Sequence, residues 1–87
     1  MNMYVSNLGL HTSQQDLRSL FEQYGKVTFT RIIKNRLTGL SRGLGYVKMD
    51  SLEEGSDAMN NLNGKELEGN FITITVARDR TKDVSSN

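Results

Sequence analysis

The residues of this chain best suited to a chemical task are concentrated in one octamer, Arg42-Gly-Leu-Gly-Tyr-Val-Lys-Met49. Under the period-two alternation of a strand, Gly43, Gly45, Val47 and Met49 point to one side, and Leu44, Tyr46 and Lys48 to the other. The first set is small or apolar and suits a core. The second places an aromatic ring between an aliphatic side chain and a cation, with Arg42 at the strand start. Glycine weakens a strand and is often found where another backbone or a ligand comes close. The octamer therefore reads as a strand that presents Tyr46 to a partner.

The octamer resembles the longer signature of the RNA-recognition motif family, basic-Gly-aromatic-Gly/Ala-aromatic-Val-x-aromatic. It matches at Arg42, Gly43, Gly45, Tyr46 and Val47 and departs at Leu44 and Met49, where the family usually carries aromatics. Met3-Tyr-Val-Ser-Asn-Leu8 resembles the family's shorter hexamer, with the aromatic second and Asn-Leu at the end. The resemblance covers residues 2 to 78. Within the family the chain is most similar to small stand-alone bacterial proteins whose single domain starts at the first methionine, relatives of the domain in plant glycine-rich RNA-binding proteins. The resemblance implies single-stranded RNA as partner, with the residues matching Tyr4 and Tyr46 stacked on consecutive bases and the one matching Arg42 on a phosphate. Leu44 stands at the third contact position. Leucine can pack on a sugar but offers no π face, which implies modest affinity and low sequence specificity.

Composition narrows the field independently. Eighty-seven residues, 36% of them hydrophobic, make one domain with a modest core. The mean hydropathy of −0.52 is polar without being that of a disordered chain. The absence of cysteine excludes disulfides, thiolate metal sites and a cysteine nucleophile. No apolar run reaches membrane-spanning length and no segment resembles a signal peptide, so a cytoplasmic domain is expected. The net charge of +1 conceals segregation. Lys26, Arg31, Lys34, Arg36, Arg42 and Lys48 occupy residues 23 to 49 with no acid among them, whereas Asp50, Glu53, Glu54, Asp57, Glu66 and Glu68 follow against Lys65 alone. One face is thereby positive although the whole is near neutral.

The elements that must position these residues follow in order. Asn2 to Asn7 reads as the first strand, with Met3 and Val5 inward and Tyr4 and Ser6 outward; the opposite register would expose Met3, Val5 and Leu8 together. His11, in the loop that follows, has no cysteine or second histidine to pair with, and no metal or catalytic role is assigned to it. Ser13 and Asp16 form the capping box of a helix whose inner face is Leu17, Leu20, Phe21 and Tyr24, with Gly25 as its left-handed cap. Val27 to Ile33 is the second strand. Val27, Thr30 and Ile32 face the core, and Arg31 and Ile33 lie on Tyr46's side. Phe29 does not fit a simple alternation, which points to a bulge near Thr28. Lys34 to Ser41, turning at Thr38-Gly39, joins this strand to the octamer in a hairpin. Ser51 and Glu54 form a second capping box, opening a helix with Gly55, Ala58, Met59 and Leu62 inside and Asn63-Gly64 as its stop. Gly55 costs that helix about 1 kcal/mol relative to alanine, a cost accepted if the helix must lie close to the sheet. Phe71 to Val76 is the last strand, with Ile72, Ile74 and Val76 on one side and Thr73 and Thr75 on the other.

Both helices need an apolar surface and only one sheet face supplies it, so they share that face. Right-handed crossovers then set the two motif strands side by side in the centre. The expected fold is an α+β, ferredoxin-like βαββαβ sandwich, with a four-stranded antiparallel sheet over residues 1–78 and a polar tail over 79–87. Its open face displays Tyr4, Ser6, Arg31, Leu44, Tyr46, Lys48 and Thr75, with Arg42 and Arg78 at strand ends and Lys34 and Arg36 as secondary contacts in the hairpin loop. Aromatics ringed by cations make a stacking platform for unpaired bases. The expected partner is single-stranded RNA, with single-stranded DNA left open, and the expected state is a monomer with no cofactor, metal, membrane or small-molecule substrate. Two other classes compete. A protein-interaction module would cover the sheet with a partner helix, and the retained Tyr4 and Tyr46 argue against it. An acylphosphatase-like hydrolase of the same fold would need an arginine in the loop after the first strand, and Leu8 to Thr12 contains none.

Overall fold

The computed structural model describes residues 1–77; Arg78 and the expected tail lie outside the described residues. Strand β1 (Asn2–Ser6) follows from its alternation, with Met3 and Val5 buried and Tyr4 turned out. Helix α1 (Gln14–Glu22) begins at a complete capping box: Ser13 Oγ accepts the Asp16 N–H at 3.1 Å, and Asp16 Oδ2 accepts the Ser13 N–H at 3.0 Å. Strands β2 (Val27–Lys34) and β3 (Ser41–Met49) form the central hairpin. Helix α2 (Leu52–Leu62) is capped by Ser51. A short hairpin, β4 (Glu66–Leu67) and β5 (Asn70–Phe71), precedes the last strand, β6 (Thr73–Val76).

The four-stranded sheet has the order β2-β3-β1-β6, antiparallel throughout, so the two motif strands are its central pair. Met3, Val5, Val47, Met49, Ile32 and Ile74 from the sheet are buried with Leu17 and Phe21 of α1 and Ala58 and Leu62 of α2 in one core. This is the expected ferredoxin-like βαββαβ sandwich, with the small β4–β5 hairpin added.

Several local expectations are corrected. Gly25 is not a left-handed cap: α1 ends at Glu22 with Gln23 as its C-cap, and Gly25, at φ 159°, is nearly extended. Glycine is needed there for space, because a Cβ would fall 2.7 Å from Glu54 Cβ and against its carboxylate. That carboxylate accepts the Lys26 N–H at 3.3 Å, so Glu54 ties α2 to the start of β2. Gly55 makes room for the Met1 side chain, whose Sδ and Cβ lie 2.8 and 2.9 Å from where a Cβ would stand. The stretch 71–76 is not one strand. Glu68 (φ 51°) and Gly69 (φ 91°) make a two-residue hairpin turn of the type whose twist suits a hairpin, and Phe71 belongs to that hairpin. Val76 is 52% exposed rather than buried with Ile72 and Ile74, because it ends an edge strand with a neighbour on one side only. Gly43 does not alternate with Gly45: Ile33 pairs with Leu44 but Lys34 with Ser41, so Arg42 and Gly43 are extra in the ladder, and Gly43 takes φ 74°. Its carbonyl accepts the Leu8 N–H at 2.9 Å, which joins the two motif strands where β1 ends.

Candidate nucleic-acid interface

Three cross-strand rows make up the open face. In the middle row, Thr75, Tyr4, Tyr46 and Arg31 are successive register partners across β6, β1, β3 and β2. Directly opposed residues on one face bring their side chains into contact, and the rings of Tyr4 and Tyr46 meet edge to face, with centroids 5.5 Å apart and planes at 61°. On one side of this row lie Thr73, Ser6, Leu44 and Ile33; on the other lie Lys48 and Phe29. The β1 and β3 alternation that buries Met3, Val5, Val47 and Met49 is what forces both tyrosines out. Tyr4 is 38% exposed.

Strands β1, β2, β3 and β6 contain no acidic residue. The one ion pair among the described residues, Arg18–Glu22 at 3.6 Å, is on α1. Among the described residues, Arg31 and Lys48 therefore stand on the sheet without a neutralising carboxylate, and both are exposed. The face is positive, aromatic and open, which suits a flat ring attached to an anionic backbone.

The structure brings Tyr4, Ser6, Arg31, Leu44, Tyr46, Lys48 and Thr75 onto this one face, as expected. Arg42 is exposed at the base of the β2–β3 hairpin, in the irregular step next to Leu44. Lys34 and Arg36 are not with the rings. Lys34 lines a separate depression with Ile32, Leu40 and the β1–α1 loop, beneath the start of α1, and Arg36 is exposed in the hairpin loop. That loop is ordered by Asn35, whose Oδ1 accepts the N–H groups of Leu37 and Thr38 at 2.9 and 3.1 Å.

Sequence reasoning missed Phe29. Its ring lies 6.0 Å from that of Tyr46 at 62°, and with Tyr4, Arg31, Ile33 and Tyr46 it lines a shallow depression of about 310 Å³. The expected bulge is present, since Val27 pairs with Met49 and Phe29 with Lys48, leaving Thr28 unmatched. The signal was in hand: Phe29 shares the period of Arg31 and Ile33, already assigned to Tyr46's side.

An α+β sandwich with helices on one sheet face and a row of aromatics on the other defines a class of nucleic-acid-binding domains. The chain belongs to the RNA recognition motif family, whose model matches residues 3–73. It is 42% identical over 80 residues to a 31 kDa chloroplastic ribonucleoprotein of Nicotiana sylvestris, covering 92% of this chain and 25% of the relative. It is 40% identical over 77 residues to a glycine-rich, abscisic acid-inducible RNA-binding protein of Zea mays, covering 88% and 49%. The chain thus spans between a quarter and a half of these relatives' lengths. Among solved structures it resembles RNA-binding protein PG1, with TM-score 0.88, 39% identity and coverage of 92% and 96%. It also resembles the Sxl-lethal protein in complex with RNA, with TM-score 0.84, 27% identity and coverage of 90% and 47%.

Proposed function

We propose that this domain binds single-stranded RNA on its open sheet face, by stacking bases on Tyr4 and Tyr46 and holding phosphates with Lys48 and Arg42, while Arg31 adds its charge to the same face. The role is one of binding. The observation that carries it is the alignment of Tyr4 and Tyr46 as direct register partners, rings 5.5 Å apart, on a face whose strands hold no acid. The family membership and the RNA-binding names of its relatives support the same reading. Affinity is modest, because Leu44 gives the motif strand an aliphatic surface where a third ring would add about 0.5–1.5 kcal/mol. Sequence specificity is low, since stacking accepts any base.

The test is an NMR titration with short, degenerate single-stranded RNA pools, repeated with single-stranded DNA of the same length. Amide shifts centred on Tyr4, Tyr46 and their strand neighbours are expected. Shifts confined to α1 and α2 would reject the sheet face as the interface.

A further inference from the structure

Phe29 is a large apolar residue left 46% exposed in the middle of a strand. Hydrophobic burial does not explain its place, because one residue earlier the backbone is set so that Val27 enters the core and Phe29 does not. Strand order puts Tyr46 between β1 and β2, so Phe29 continues the aromatic surface beyond Tyr46 on the side away from Tyr4. The three rings span three adjacent strands with centroid steps of 5.5 and 6.0 Å. The aromatic surface therefore extends towards Phe29 and Lys48, while the row containing Leu44 ends in the aliphatic pair Leu44–Ile33.

We propose that Phe29 and Arg31 form a third nucleotide subsite, in which a further base of the same RNA stacks on Phe29 and presents its edge to the Arg31 guanidinium. The subsite rests on the RNA-binding reading of the sheet face. The two residues are two apart on β2, share the open face, and line one shallow depression with Tyr4, Tyr46 and Ile33, so the subsite is continuous with the first two stacking positions. Arginine offers five donors and no acceptor, so the subsite favours a base with an acceptor-rich edge. Guanine, whose O6 and N7 accept a bidentate arginine, fits best.

The test measures dissociation constants of the whole chain for oligouridylates two, three and four nucleotides long, and for the trinucleotides carrying guanosine at either end. Lengthening the dinucleotide to the trinucleotide should tighten binding by about 5- to 160-fold in the native protein, the span of one base–aromatic stack. Phe29→Ala should abolish that gain and leave dinucleotide binding unchanged. Phe29→Tyr should restore the gain, and Phe29→Leu, which keeps bulk without a π face, should not. Arg31→Lys, which keeps the charge but not the bidentate fork, should lose the guanosine preference. Thermal melting of each variant confirms that it is folded. If Phe29→Ala weakens the dinucleotide as much as the trinucleotide, or Phe29→Leu binds like the native protein, Phe29 only supports Tyr46 and the subsite is rejected. If no oligonucleotide binds at any length, the RNA-binding reading falls and the subsite with it.

Discussion

Tyr46 is the middle ring of three, so replacing it should change stability as well as binding. Tyr46→Ala removes both edge-to-face contacts, with Tyr4 at 5.5 Å and with Phe29 at 6.0 Å, whereas Tyr4→Ala removes only the first. At about 0.5–1.5 kcal/mol per aromatic pair, the two contacts sum to about 1–3 kcal/mol for Tyr46→Ala, against about 0.5–1.5 for Tyr4→Ala. A domain stable by roughly 5–15 kcal/mol stays mostly folded after either change. Urea unfolding followed by circular dichroism should therefore show a lower midpoint for both variants at unchanged slope, with Tyr46→Ala lower. RNA affinity, titrated at fixed salt, should fall by about 1–3 kcal/mol for each. Equal midpoints for the two variants would mean that the rings are independent and that no continuous platform exists. Loss of stability without loss of affinity would make the cluster a packing device alone.

Four further outcomes are expected. Gly45→Ala should destabilise the fold by about 1–3 kcal/mol in thermal melts, because its Cβ would stand 2.7 Å from Leu17 Cδ2 and 3.0 Å from Leu8 Cδ1; an unchanged melting point would show that the core is looser than described. Asn7→Ala should cost about 1–2 kcal/mol, since Asn7 holds φ 64° and its amide donates to the Phe71 carbonyl at 2.9 Å; Asn7→Gly, which accepts the same backbone, should recover part of the loss. Leu44→Phe should tighten RNA binding by about 0.5–1.5 kcal/mol at nearly unchanged stability, and a lower melting point without tighter binding would show that this part of the face is already covered. With Arg42 and Lys48 on phosphates, log K against log salt should have a slope of about −1.4, at about −0.7 per contact on a single strand; a flat response in a salt titration would remove phosphate contacts from the account.

Most of the architecture was legible in the sequence because it rests on local rules that the tertiary fold obeys. Alternation in β1 and β3, the Ser13–Asp16 capping box and the Leu17–Phe21 stripe each specify one face, and the faces agree. The failures share a different cause. Gly25, Gly43 and Gly55 are glycines for reasons of distant contact: the Glu54 carboxylate, the Leu8 backbone and the Met1 side chain all come from elsewhere in the chain. The β4–β5 turn carries Glu-Gly rather than the Asn-Gly pair that marks such turns. Within the site, the two tyrosines were found because motif spacing announces them. Phe29 was missed because counting forward from Val27 across the bulge at Thr28 turns it inward, whereas counting back from Ile33 and Arg31 puts it on Tyr46's side. Lys34 was placed with the loop cations, but its position at the end of β2 carries it to the helix side of the sheet.

Thr28 is supernumerary: the ladder steps from Val27–Met49 to Phe29–Lys48 with nothing opposite it, and its hydroxyl donates to the Lys48 carbonyl at 3.0 Å. A chain shortened by this residue would pair Val27 with Met49 and Phe29 with Lys48 in unbroken alternation, so every other side chain of β2 would keep its face. Removing any single residue from 30 to 32 would instead exchange the core and open sets on one side of the cut. Position 28 is thus a point where the length of this chain can change by one without disturbing either surface, and length variation within β2 in related chains should be concentrated there.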